Sequence, residues 1–331
     1  MPKKPSGKSA AVAAAPTPRM GTEKAMRGLQ HLLEGKDFAS IEDINAFLAS
    51  PAGRGQMKSA GREALTAKEQ AQEFAWNAME TESGAKARKL ARRALALDAD
   101  CVDALVMLAE LEAKTPDERI AGLQAAVAAG ERSLGAGFFR QNRGHFWLLM
   151  ETRPYMRAMA RLAEAMRGHA MFADAIRIFE TMLELNPNDN QGVRDPLLYL
   201  YLETDNLRSA QKLLKEYNDG SASFKWARVL ERFLSGDHEG ASKALKQARK
   251  ANRHIELFLT LRESASKEAP EMYSPGSKEE AVLVLNGLCG ALLAQQEACS
   301  WILDQLAADG LRPAPSRNAL KRMKVVGKKV Q

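Results

Sequence analysis

Three features of the sequence predict an all-α chain of stacked antiparallel helix pairs, an α-solenoid with a right-handed superhelix expected. The first is the lack of strand signals: no run of alternating β-branched residues lies between turn residues. The second is residues 151–194, where two apolar stripes at helical spacing flank a Gly-containing break. Tyr155, Met159, Leu162 and Met166 stripe one helix; Phe172, Ala175, Ile176, Phe179, Met182 and Leu183 stripe the next, with Gly168 and His169 at the turn and Asn186-Pro187-Asn188-Asp189 as the stop. The third is recurrence. Ala87, Ala121, Ala175, Ala210 and Ala241 stand near the start of successive second helices at spacings of 34, 54, 35 and 31, and three of the four fit a repeat of about 34 residues. A small side chain there lets two axes approach closely. Helices this short cannot bury their faces alone, so the units must stack.

Each element follows from local chemistry. Residues 1–22 read as a disordered basic leader, because the SAAVAAAPTP run is too weakly apolar, and too broken by Pro16 and Pro18, for a secretion signal. Residues 23–50 form an N-terminal helical hairpin of helices 23–34 and 41–49, the second opened by Ser40 with Asp43 three residues on. The breaker-rich SPAGRGQMKSAG makes 51–65 a linker. Thr66 with Glu69 then opens a repeat array spanning 66–265, with helices at 68–80 and 85–97, then 101–113 and 116–134. Thr115-Pro116-Asp117-Glu118 is a strong helix start. An insertion near 135–152 accounts for the 54-residue step. Further pairs follow at 195–203 with 206–217 and 223–234 with 238–250; in 223–234, Trp226, Val229 and Phe233 claim the core stripe. Asp195-Pro196 predicts a helix that starts late or kinks. Ser277-Lys278-Glu279-Glu280 opens a long apolar helix with Val282, Leu285, Leu288, Leu292, Trp301, Leu303 and Leu306. Residues 266–309 are thus expected to cap the array, and 310–331 to form a disordered basic tail.

The net charge of +7 divides unevenly. Residues 1–28 carry +5 and residues 310–331 carry +7, which leaves −5 on the body between them. Basic ends of this kind can hold nucleic acid or an acidic surface. Cys101, Cys289 and Cys299 form no disulfide framework; ten residues apart on one helix, the last two would point about 80° away from each other. Reduced thiols suit a cytoplasmic protein. No segment approaches the ~20 apolar residues that cross a bilayer, so membrane insertion is not expected.

Catalytic and metal motifs are missing: GxxxxGK[ST], HExxH, GxSxG and GxGxxG are all absent. Gly7-Lys8-Ser9 has only the tail of a phosphate loop. His31, His145, His169, His238 and His254 are scattered, none paired at helical spacing. No catalytic residue, cofactor or metal ligand is therefore assigned. His145 in Gly144-His145-Phe146-Trp147 is read as a packed or hydrogen-bonded structural histidine rather than a base.

Leu162, Ala163, Ala175, Phe179 and Pro187 fall where tetratricopeptide repeats place Leu, Gly/Ala, Ala, Phe and Pro. The longer strings HFWLLMETRPYM and LNPNDNQGVR resemble the family of suppressor of tumorigenicity protein seven and its soluble bacterial relatives. The likeness covers roughly 68–265 and is strongest over 144–194; the membrane segments of animal members have no counterpart here. It implies a non-catalytic scaffold that binds a protein or peptide partner. In such arrays first helices line a concave groove, which puts Arg157, Arg161 and Glu164 on its wall and Lys225 and Arg228 two repeats on. Arg153 and Arg194 flank the best repeat, as a binding edge for acidic peptide or as groups that satisfy helix-end carbonyls or pair with Glu151, Asp189 or Asp195. An acidic peptide could be gripped by these arginines. On this reading, replacing Arg157 and Arg161 by Ala weakens capture and leaves the melting temperature nearly unchanged. Nucleic-acid binding through the basic tails is the alternative.

Overall fold

The computed structural model describes residues 19–59, 65–264, 270 and 272–312. Among them every regular element is helical, as the missing strand signals predict. Most of the expected basic leader and tail, with Gly7-Lys8-Ser9, lies outside the described residues. The chain divides into two compact units, 1–161 and 162–331.

The first unit holds α1 (Arg19–Leu33), α2 (Ile41–Ala49), α3 (Pro51–Ser59), α4 (Ala67–Glu80), α5 (Gly84–Leu97), α6 (Val102–Glu112), α7 (Pro116–Leu134) and α8 (Ala136–Asn142). Two 3-10 turns, Phe146–Leu148 and Met150–Thr152, lead into α9 (Arg153–Gly168), which runs across the division. Caps set the boundaries. Thr66 and Glu69 complete a reciprocal capping box, and Thr115 accepts the Glu118 N–H at 3.1 Å with Pro116 in the first turn. Helices α4, α5 and the start of α6 pack closely because the contact is small: Ala71, Ala75, Ala91, Ala94 and Ala104 form its centre with Cys101.

Three expectations change here. The leader's last residues are helical, since α1 begins at Arg19. The stretch 51–65, expected as a linker, contains α3. Ser50 Oγ accepts the Gly53 N–H at 3.0 Å, Pro51 takes the first helical position, and Arg54 donates to the Ala49 carbonyl at 2.9 and 2.6 Å. Breaker residues in a first turn start a helix rather than stop it. The small contact residue of α7 is Gly122, not the exposed Ala121; a Cβ at Gly122 would lie 2.8 Å from that of Ala109. The insertion is an aromatic nest around fully buried Phe146, ringed by Phe138, Phe139 and Tyr155 at 5.0–6.2 Å. His145 is exposed beside it, not packed.

The second unit continues from α9 with α10 (Phe172–Leu185), α11 (Arg194–Glu203), α12 (Leu207–Tyr217), α13 (Ala222–Leu234), α14 (His238–Ala251), α15 (Arg253–Leu259), α16 (Lys278–Ala294) and α17 (Gln296–Ala308). Trp226 and Val229 take the core stripe of α13, while Phe233 lies at its edge against Trp301. Pro196 produces no kink. α11 starts at Arg194, so the proline falls in the first turn, where its missing N–H costs no helical bond.

The C-terminal helices depart furthest from expectation. The long apolar helix breaks at Gln295, and α16 and α17 meet at 116°. They do not simply close the end of the array. α16 packs on α11, α13 and α15, with Gly287 against the Tyr199 ring, and Gln295 donates to the Leu202 carbonyl at 3.0 Å. That is why Leu197 through Leu202 are all buried: α11 is covered on both sides. The break also invalidates the single-helix geometry assumed for Cys289 and Cys299. Burial pushes both thiols up, and Glu203 and Cys299 add to the rise at Cys289.

Candidate functional site

In each unit a helix from outside the repeat pairs lies on the face made by first helices, where a groove was expected. In the first unit that helix is α1, and the residues beneath it form a charged lattice. Lys24 reaches Asn77 and Glu80 at 3.2 Å, Arg27 pairs with Glu73, and His31 pairs with Glu69. Glu69, Glu73 and Glu80 share one stripe of α4, so α1 runs antiparallel along it. Burial raises the Glu69 carboxyl, but hydrogen bonds from Thr66 and His31 outweigh it and hold it below its usual range.

Arg157, expected on an open groove wall, is the centre of this lattice instead. Its Nε and Nη2 grip Asp103 at 3.0 and 2.6 Å, and its Nη1 donates to Glu23 at 2.7 Å. Asp103 is fully buried and Glu23 is 3% exposed; Gln72 supplies a further bond to Asp103 at 2.7 Å. Burial would lower the guanidinium pKa, yet Asp103 and Glu23 together drive it upward. Arg153 donates to the Trp147 carbonyl at 3.2 Å and stacks on that indole at 5.3 Å. This is the physical content of the ETRPYMR string. Thr152 ties the turn by donating to Phe146 and Leu149 carbonyls, Tyr155 fills the aromatic nest, and Arg153 and Arg157 project to α1. Arg161 stays exposed, and Glu164 is taken by Arg167 at 2.8 Å.

The NPNDNQGVR string builds a second polar knot. Asp189 accepts the backbone N–H groups of Val193 and Arg194 at 2.8 and 3.1 Å, which starts α11. Arg194 bonds Asp219 at 2.5 Å and lies over Tyr217 and Phe224 at 5.4 and 5.8 Å. Arg194 is thus a structural clamp. Burial pushes the Asp195 carboxyl up to about 6, although Ser223 bonds it and Arg194 attracts it; Ser223 Oγ lies 2.6 Å from the Tyr199 hydroxyl.

Of the expected groove residues, Arg228 lines an open cleft. Two adjoining clefts of about 500 and 410 Å³ share Arg228 and Arg232, with Lys215 on α12 and Lys243 on α14 as rims. Arg228 caps α12 through the Leu214 carbonyl at 3.2 Å, and Lys225 sits one turn earlier. The segment 207–253 carries +6, a concentration that the −5 of the whole body conceals. The α1 seat was missed because its two stripes, 20-23-24-27-31 and 69-73-80, are each unremarkable alone. Only their complementarity signals contact. Among the described residues no cluster of His, Cys, Asp and Glu is placed to hold a metal. No single described helix is long and apolar enough to cross a membrane; α16 and α17 reach that measure only as a bent pair.

Successive helix pairs, fixed by polar knots, define a helical repeat-like protein. The chain belongs to the ST7 protein family, whose model matches residues 60–230, the span that contains both motif strings. Among curated proteins none matches the chain.

Proposed function

We propose that this chain is a non-catalytic, cytoplasmic scaffold of tetratricopeptide-like pairs, stacked as an α-solenoid, that binds a protein partner along first-helix faces. One observation carries the reading: in both units such a face receives an additional helix, α1 on α4 and α9 and α16 on α11 and α13. Faces shaped to seat a helix are the recognition device of helix-in-groove binding. The two seats differ in permanence. α16 buries Val282, Val284, Leu288 and Leu292 and acts as core, whereas α1 buries only Met20, Glu23 and Leu32. The first-unit face is therefore the binding face.

A second reading, nucleic-acid association, draws support from the exposed Arg208, Lys212, Lys215, Lys246, Lys250 and Arg253 on and beside α12 and α14, as well as from the basic tail. It predicts binding that falls steeply with salt. Affinity capture from native lysate with the full chain and with a chain ending at Arg312 separates the two. A protein retained by both chains after nuclease treatment supports the scaffold. Captured material that disappears with nuclease overturns it in favour of nucleic acid.

A further inference from the structure

We infer that the α4–α9 face is a recognition site for a helix bearing the charge pattern of α1, which α1 itself occupies until such a helix displaces it. The inference rests on the scaffold reading and specifies its partner. Four observations define the chemistry. Lys24, Arg27 and the His31 imidazole meet an acidic stripe at Glu80, Glu73 and Glu69. One acid, Glu23, meets Arg157 at 2.7 Å with Arg153 at 3.8 Å. The apolar residues of α1 that are buried lie toward its ends, at Met20 and Leu32. The partner is accordingly an amphipathic helix with one carboxylate, cations one and four residues after it and a hydrogen-bonding side chain at eight, entered antiparallel to α4.

The fourth observation is that α1 fits its own seat imperfectly. Arg27 lies over Trp76 at 4.9 Å, yet Arg27 Nη1 and Trp76 Nε1 are both buried without a hydrogen-bond acceptor among the described residues. A buried donor left unpaired weakens the association that buries it. The helix that follows is lightly packed as well: α2 buries none of its residues. A contact built mainly of ion pairs, with two orphan donors and a lightly packed neighbour, is suited to exchange. The apolar α16 seat is not.

The test uses the full chain and a fluorescein-labelled peptide of residues 19–33, with binding read by anisotropy. The Lys24→Glu/Arg27→Glu chain, whose own α1 is repelled by Glu73 and Glu80, is expected to bind the peptide at least tenfold more tightly than the unaltered chain. Adding Glu73→Lys and Glu80→Lys is expected to abolish that binding, and raising salt to weaken it. Equal affinity for both chains, or binding indifferent to the α4 reversals, overturns the inference. So does a loss of helical circular dichroism in the Lys24→Glu/Arg27→Glu chain beyond α1, which would make α1 an integral part of the unit. Peptide binding without any protein captured from lysate would fail the scaffold reading alone. A captured protein with no peptide binding would fail this one alone.

Discussion

Arg157 shows how one side chain changes role once its neighbours are known. The sequence places it on an exposed stripe, where its loss would be neutral for stability; the structure surrounds it with a fully buried Asp103 and a nearly buried Glu23. Removing one partner of a buried pair strands the other charge, typically at about 3–5 kcal/mol. Arg157→Ala is therefore expected to lower stability by several kcal/mol in urea unfolding, with Arg161→Ala within about 0.5 kcal/mol of the parent because Arg161 is exposed. A neutral Arg157→Ala would refute the lattice. Asp195 gives a prediction of the opposite sign. Its carboxyl is held up at about 6 in the fold against an ordinary 3.8, so the folded state binds more protons between those values. Its contribution to stability is present in full below about pH 4 and is lost as pH rises through 6. Asp195→Asn should thus stabilise the chain by roughly 1–2 kcal/mol at pH 7.5, a figure reduced from the full shift for partial exposure. The gain should vanish near pH 4, as parallel melts at the two pH values would show. Equal gains at both would place the cause elsewhere.

At the scale of elements, glycines that admit a neighbour can be told from glycines that merely tolerate a helix. A Cβ at Gly287 would meet the Tyr199 ring, with Cδ2 at 2.7 Å, whereas one at Gly55 meets nothing within 4 Å. Gly287→Ala is expected to cost about 1–3 kcal/mol through overpacking. Gly55→Ala should be neutral or stabilising by up to about 1 kcal/mol, from helix propensity. Comparable melting temperatures for the two variants would count against the α11–α16 contact. Helix existence and caps were legible in the sequence wherever local chemistry decides: Ser40, Thr66, Thr115 and Ser277 each accept the expected backbone N–H. What was not legible depends on partners distant in the chain. Ala121 and Gly122 are both small, and only the position of Ala109 selects between them. Gln295 reads as an ordinary helical residue, and its role in the break between α16 and α17 is tied to the distant Leu202 carbonyl. The surroundings of Arg157 and Arg194 were hidden for the same reason. A charged stripe looks alike whether water or another helix covers it, and Arg157 turned out to face Glu23, 134 positions away.

At the scale of the chain as a whole, repeat pairs alone do not close their own surfaces. Nearest-neighbour stacking leaves first-helix faces open, and this chain covers one in each unit with a segment outside the pairs, by two different chemistries. On the reading proposed above, the polar α1 cover is expected to separate with salt and charge reversal and the apolar α16 cover to behave as core. That difference predicts opposite outcomes from disrupting the two. Leu288 is fully buried in α16, whose face covers a helix with six consecutive buried residues, Leu197 through Leu202. Leu288→Asp places a charge in that contact, which either stays desolvated or forces α16 off α11, and each route costs several kcal/mol. The second unit should then lose cooperative unfolding, expose apolar surface that binds a hydrophobic dye, and drop in soluble yield. Lys24→Glu/Arg27→Glu, which loosens α1, should leave dye binding and the main melting transition close to those of the parent, because the apolar groups uncovered are few, Met20, Leu32 and the Trp76 ring beneath Arg27. Dye titration and thermal melts on the two variants side by side decide the matter. If both stay silent, α16 is not core; if both take up dye, α1 is not a removable cover but part of the body it lies on.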